Sequence, residues 1–304
     1  MTKVALLGAG GQIARGLVAD LPQDWRLDLF SRDPKRPHPE AAARGVSVSP
    51  YARFAGGAFD LVINAAGPGD PAVQRSRGGE ILRITETFDN LVLDYLDAHP
   101  ETRYINLSTG AVYGAEYAGA SGRAVYELAV DDLANANAYV LAKLAAETKH
   151  RQAPDRHIAD LRIFGYFSRR MDLASGFFIA QVMACLVAGE PFRTGVNDFV
   201  RDYISPDDLA AHIATLYEAG VPNASFDAIS ALPVTKFEIL EALGDQFGLR
   251  YIVAGGESLR LDRPTGAISG KDGVNHIALR SRLTSKQIVL REAGVLISGA
   301  RDGA

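Results

Sequence analysis

The 304-residue chain has a single cysteine, Cys185, so no internal disulfide can form and a thiolate zinc site is excluded. Histidines are few and scattered. The six stand at 38, 99, 150, 157, 212 and 276 with no metal-ligand spacing, and His99 and His150 read as ordinary surface or helix-end residues. Positive charge is not in excess either: 32 Lys and Arg against 36 Asp and Glu leave a net charge of −4, which offers nucleic acid no broad cationic face. An acidic ligand has to be met by local arginines. No apolar run approaches the roughly 20 residues that span a bilayer. The N-terminus passes from MTK straight into VALLGAG, too short and too glycine-bound for a signal peptide. These absences predict a soluble, cytoplasmic protein without metal, nucleic-acid or membrane partners.

What is present is the composition of a globular chain, 47% hydrophobic and 22% charged, and long enough for a large domain with a smaller lobe. Apolar runs at 4–10, 27–31, 60–67, 103–110 and 159–165 read as buried strands. Helical patterns lie between them, among them GQIARGLVADL, ITETFDNLVLDYLDAH and the stretch around YVLAKLAAETKHR. This alternation predicts an α/β fold with a doubly wound parallel sheet over residues 1–164, joined by a returning segment near 204–230. Beyond 165 the rhythm changes. A helix at 176–189, a turn-rich loop GEPFRTGVNDF, a helix from Pro206, the strand-like FDAIS and a helix from about Val234 predict a smaller substrate-binding lobe within 165–304. The Gly-rich stretch 255–273 reads as a long loop.

Four motifs carry chemistry. In LLGAGGQIARG, Gly8, Gly11 and Ala14 follow the first strand and open the first helix. Small residues there let backbone N–H groups of the turn, through Gln12 and Ile13, approach a dinucleotide pyrophosphate, and the helix N-terminus favours its charge. The fold is therefore expected to be a Rossmann domain. At the end of the second strand, LFSRD places Ser31 and Arg32 where NAD-binding chains carry an acidic residue for the ribose 2′-hydroxyl. A hydroxyl beside a guanidinium suits a 2′-phosphate, so NADP(H) is the preferred cofactor; NAD stays open, because Asp33 can reach the ribose instead. NAAG (64–67) puts Ala65, Ala66 and Gly67 at another strand end, where a flat cofactor can approach the backbone. INLSTGAVYG puts Ser108 and Thr109 at a central strand end, the side on which open parallel sheets bind ligands.

Tyr139 and Lys143 in AYVLAKLAAE are four apart and share a helical face. Alone they read as a solvated pair. With Thr109 and a dinucleotide loop they form a set for hydride transfer at a carbonyl. A ketone gaining hydride needs a proton on its oxygen, and a nearby ammonium lowers the pKa of a tyrosine from about 10. Thr109 can hold the substrate oxygen by a hydrogen bond.

These residues resemble the extended short-chain dehydrogenase/reductase family of NAD(P)-dependent nucleotide-sugar epimerases, dehydratases and reductases. The landmarks are GAGGQIA (8–14), NAAG, STGAVYG (108–114), YVLAK (139–143), LRIF (161–164) and FVRDYISPDDLA (199–210), over nearly the whole chain. The resemblance implies Thr109, Tyr139 and Lys143 as the catalytic triad, with Tyr139 the acid/base and Lys143 also on the nicotinamide ribose. It implies substrate contacts at Ser108 and Thr109, and Arg201 on the pyrophosphate of a nucleotide sugar. An Arg201 merely paired with Asp202 or Asp198 is the competing reading. Gly110 and Ala111 stand where dehydratases carry Asp–Glu, which argues against water elimination. Ile84 stands near the place of a family asparagine, and the stretch after Tyr113 lacks the usual prolines. The expectation is an NADP(H)-dependent reductase of a 4-keto-6-deoxy sugar nucleotide. Its alternatives are an NAD-dependent 4-epimerase and a non-catalytic NADP-binding sensor or scaffold. Helices around 80–98 and 126–150 resemble the pair that builds a homodimer interface in the family.

Overall fold

The structure, a computed structural model, describes residues 1–114, 136–254 and 277–302. The 255–273 loop, the segment following Gly114 and the first part of the expected 126–150 helix lie outside the described residues.

Eight parallel strands form the main sheet: β1 (Lys3–Leu7), β2 (Arg26–Ser31), β3 (Val48–Pro50), β4 (Leu61–Asn64), β5 (Arg103–Thr109), β6 (Ile158–Ile163), β9 (Ala224–Ile229) and β12 (Ile277–Arg280). Their order across the sheet is β12-β9-β6-β5-β4-β1-β2-β3. The chain winds outward from β1 to β3 and then returns to place β4 beside β1, so the direction of winding switches between β1 and β4. Ligands of open α/β sheets bind at such a point, beyond the carboxyl ends of the strands. The five strands expected from sequence are present as β1, β2, β4, β5 and β6; β3 and β12 are too short to stand out as apolar runs.

On one face lie α1 (Gln12–Asp20), α2 (Pro39–Ala43) and α7 (Pro206–Glu218), and α1 packs on both of the others. Leu17 and Val18 of α1 meet Val4, Leu6, Leu27 and Leu29 in one apolar cluster. The opposite face carries α3 (Pro71–Arg77), α4 (Glu80–Ala98) and α5 (Ala138–Arg151), and α4 packs along α5. The α4 helix starts at Glu80, a turn ahead of the apolar pattern that begins at Ile84.

A second apolar cluster is built by α6 (Phe178–Ala188), α8 (Lys236–Phe247) and α9 (Ser285–Asp302), with Ile179, Met183, Leu240, Leu243 and Val289 buried. Two small sheets flank it, β7 (Phe192–Gly195) with β11 (Tyr251–Ala254) and β8 (Val200–Arg201) with β10 (Val234–Thr235). Part of GEPFRTGVNDF, expected as loop, is thus strand β7, because its backbone finds a parallel partner in β11 from about 60 residues downstream. None of the described helices is long and apolar enough to cross a membrane.

Candidate active site

The turn after β1 is shaped by contact with the turn after β4. Gly8 has φ +80°, and a Cβ there would lie 2.6 Å from the Ala65 backbone, so only glycine fits. Its N–H also donates to the Tyr51 hydroxyl (3.1 Å), and His38 Nε2 donates to Ala9 O (2.9 Å) while its Nδ1 accepts from Ala41 N–H. Gly11 caps α1 without any side-chain hydrogen bond, and the first turn, Gln12 to Ala14, has no acidic residue. Its amide donors and partial positive charge therefore stay available to an anion. Gln12 Nε2 is buried with no partner among the described residues. Donors without partners beside a backbone cradle fit a dinucleotide pyrophosphate.

Ser31 ends β2, and its hydroxyl accepts from Asp33 N–H (3.3 Å). A small hollow here is lined by Gly10, Arg15, Ser31, Asp33, Arg36 and His38. Arg32 is exposed, and its charge acts on the Tyr51 phenol, which burial pushes up. Arg15 is already paired with Glu40 (2.9 Å), whereas the exposed Arg32, Lys35 and Arg36 have no ion pair among the described residues. On the β4 side, Asn64 Oδ1 accepts from Ala66 N–H (3.0 Å) and fixes the Ala65–Gly67 turn.

Thr109 and Tyr139 are brought together. Asn137 caps α5, accepting from Tyr139 N–H and Val140 N–H (3.1 and 3.2 Å). That starts the helix where its first turn faces the end of β5. Burial raises the Tyr139 pKa, and a hydrogen bond with Thr109 opposes the rise. The expected direction, a phenol lowered by Lys143, is not what the structure shows. Lys143 is 5% exposed and its ammonium donates to Leu107 O (2.7 Å). Burial lowers the Lys143 pKa, and the carboxylates of Asp160, Asp89 and Glu147 oppose that.

Ser108 does not face the ligand side. Neighbours on a strand point to opposite faces, and Ser108 points with Tyr104 and Asn106 toward α4 and α5. It is 4% exposed and donates to Glu147 Oε1 (2.6 Å), which corrects the expected substrate contact. Glu147 in turn accepts from Arg162 (3.1 Å) and Ser225 (3.2 Å), and Arg162 donates to the Tyr113 hydroxyl (2.7 Å), which donates to Asp227 (2.8 Å). One turn further along α5, His150 stands at the helix end, as expected, but fully buried rather than at a surface: Nδ1 lies 2.8 Å from Asp160 and Nε2 2.8 Å from Asp89.

Arg201 on β8 stacks over the Phe199 ring (4.2 Å) and donates to Val200 O. The reading of an Arg201 paired with Asp202 or Asp198 is not met. Asp202 accepts from Ser230 N–H, and Asp198 from Phe199 N–H and Phe237 N–H. The guanidinium is half-buried and has no carboxylate partner among the described residues.

The family profile described as NAD dependent epimerase/dehydratase matches residues 4–228, from β1 into β9. The chain belongs to this family. No functionally curated protein matches the sequence. Similar solved structures include a UDP-glucose 4-epimerase from Thermotoga maritima with UDP-glucose, at 15% identity, TM-score 0.71 and 99% coverage of each chain. A second is RMD from Pseudomonas aeruginosa complexed with NADPH, at 21% identity and TM-score 0.68, covering 98% of this chain and 100% of that one. A third is the UDP-glucose 4-epimerase from Bifidobacterium longum in complex with NAD+ and UDP, at 18% identity and TM-score 0.64, covering 96% and 92%. At these identities the likeness establishes the fold.

For a member of the epimerase/dehydratase family, the donor set agrees with a nicotinamide dinucleotide: the cradle of Gly8, Gly11 and Gln12 and the Ala65–Gly67 turn. Sequence reading missed His38, Glu147, His150 and Asp160. Glu147 had a readable signal, one helical turn from Lys143 on the same face. The others become visible only when elements remote in sequence are packed together.

Proposed function

We propose that this chain is an NADP(H)-dependent reductase acting on a keto group of a nucleotide-activated sugar, of the 4-keto-6-deoxy class. The observation that carries the reading is the corner at the end of β2, where Ser31 stands in place of an acidic residue and Arg32 and Arg36 have no ion-pair partner among the described residues. A dinucleotide whose phosphates are held by this corner and by the Gly8 turn would supply the hydride from its nicotinamide end, beside Tyr139. The chain's own part is proton and position. Tyr139 gives its phenolic proton to the carbonyl oxygen as negative charge develops on it, and a phenol raised by burial stays protonated until that charge arrives. Thr109 hydrogen-bonds the same oxygen, Lys143 holds the nicotinamide ribose, and Arg201 meets the substrate diphosphate. Gly110 and Ala111 supply no acid or base for dehydration. The reading places the enzyme in the cytoplasm, as a homodimer through α4 and α5.

An NAD-dependent 4-epimerase is the second reading, favoured by Asp33, whose carboxylate lines the same hollow and can accept from a ribose hydroxyl. Incubation of the protein with NADPH and a panel of 4-keto sugar nucleotides separates the readings. The expected result is NADPH oxidation matched to loss of the ketone. Interconversion of nucleotide sugars without net NADPH consumption makes the protein an epimerase, and NADPH binding with no turnover makes it a sensor.

A further inference from the structure

Beneath Lys143 lies a belt of polar side chains that a fold of this type does not need for packing. It begins at the cofactor cradle. Asn64, whose Oδ1 fixes the Ala66 N–H, donates through Nδ2 to the Tyr104 hydroxyl (3.0 Å). Tyr104 donates to Asp89 on α4 (3.2 Å), Asp89 faces His150 on α5, and His150 faces Asp160 on β6, which also accepts from Asn106 on β5 (2.7 Å). All six side chains are at most 3% exposed.

The geometry fixes the charge of the imidazole. Both ring nitrogens lie 2.8 Å from a carboxylate oxygen, so both must donate, and only the imidazolium has two N–H groups. Charged and titratable groups face it from every side: Asp89 from α4, Lys149 and Arg151 from its own helix, Tyr104 from β5 and Asp160 from β6. Lys149 bridges to Asp89 at 2.6 Å and Arg151 to Asp160 at 2.9 Å, at the solvent edge. Burying such a cluster carries a large desolvation cost, and an apolar filling of similar volume is often as stable or more so. Packing alone is therefore a poor reason for it. Its position supplies a better one, because the belt joins the Ala65–Gly67 turn to the helix of Tyr139 and Lys143, whose buried ammonium is favoured by the Asp160, Asp89 and Glu147 carboxylates against the cost of burial.

We propose that His150, clamped between Asp89 and Asp160, is a positioning residue for the reaction: the belt locks the cofactor turn at Asn64 to the helix of Tyr139 and Lys143, and so fixes where the Lys143 ammonium sits against the Leu107 carbonyl. The proposal rests on the reading of Tyr139 and Lys143 as the reacting pair, but its test does not need the sugar substrate. In protein with isotope-labelled lysine, the Lys143 signal is titrated by NMR in wild type, Asp89→Asn, Asp160→Asn and the control Asp97→Asn, an exposed carboxylate on α4 paired with Arg156. Each belt variant removes a charge that favours the ammonium, so Lys143 should lose its proton at a pH lower by about one unit, with no change in the control. Folded belt variants with a lowered melting temperature but an unmoved Lys143 titration overturn the belt's hold on Lys143. Tyr104→Phe cuts the link to Asn64 and should weaken NADPH binding by roughly 3- to 10-fold; unchanged affinity overturns the coupling to the cradle. Should the Asp variants fail to fold, the wild-type His150 ring decides. A ring charged at neutral pH that titrates near 9 supports the belt, and a neutral ring overturns it. A protein that shows these shifts yet reduces no ketosugar refutes the proposed substrate while the belt stands.

Discussion

Under the glycine turn, β1 and β2 send Val4, Leu6, Leu27 and Leu29 against Leu17 and Val18 of α1, all at most 3% exposed and none with a polar side-chain atom. Two strands away, β5 and β6 send Asn106, Ser108, Asp160 and Arg162 against Lys143, Glu147 and His150 of α5. One sheet thus carries a dry region and a charged region. The proposed function accounts for the difference. A pyrophosphate is met by backbone N–H groups at a helix end, and these need only a rigid apolar floor. A proton transfer needs a phenol and an ammonium kept in defined protonation states, and in a low-dielectric interior only further charges and hydrogen bonds can do that.

The sharpest break of this comparison is at Tyr139. Tyr139→Phe removes the proton donor from the charged region and nothing from the dry one. Turnover of a ketosugar should fall roughly a hundred- to ten-thousand-fold, while NADPH titration gives an unchanged affinity. A parallel loss of NADPH binding would show that the two regions are not separable.

Stability offers a second test. Arg162→Leu leaves Glu147 buried at the face of β5 without its guanidinium partner and should cost about 3–5 kcal/mol in urea unfolding. Leu17→Ala opens a cavity under the glycine turn and should cost about 2–5 kcal/mol. The single losses are similar, but their repair is not. Adding Glu147→Leu to Arg162→Leu removes the orphaned charge and should recover most of the loss. Recovery of less than about a third would mean that Ser108, Tyr113 and Asp227 depend on the pair more than the pair depends on itself.

The dry region was the legible one. Its strands are continuous apolar runs, its glycines stand at fixed spacing, and its contacts are local, so VALLGAGGQIARG already describes the β1–turn–α1 unit. In the charged region Thr109, Tyr139 and Lys143 could be singled out as candidates because they stand at a strand end and on one helix face, and the fold brings Thr109 and Tyr139 together. The roles of their neighbours were not. Asp89 and His150 are 61 residues apart, and no local pattern joins them. Ser108 was misplaced for a reason within reach of the sequence: adjacent strand residues face opposite ways, so Ser108 and Thr109 could not both line one site. The charge relation of Lys143 to Tyr139 depends on where a flexible four-carbon chain ends, and the Leu107 carbonyl was invisible before folding.

The smallest expected effect falls on the rim of the dry region, where the comparison is sharpened rather than broken. Arg32 is exposed at the end of β2, so its charge is screened and the proposed contact with a 2′-phosphate would be worth less than that of a buried guanidinium. Arg32→Ala should weaken NADPH binding only about 3- to 10-fold, and more at low salt than at high salt, since added ions screen the same interaction. Binding of NADH, which lacks the phosphate, should not change. Arg36 lines the hollow beside Ser31, and a larger loss for Arg36→Ala than for Arg32→Ala would move the phosphate contact into the hollow. Equal losses of NADPH and NADH in both variants would make this corner an adenosine-packing surface, and Asp33 would then be left as the group that selects the ribose.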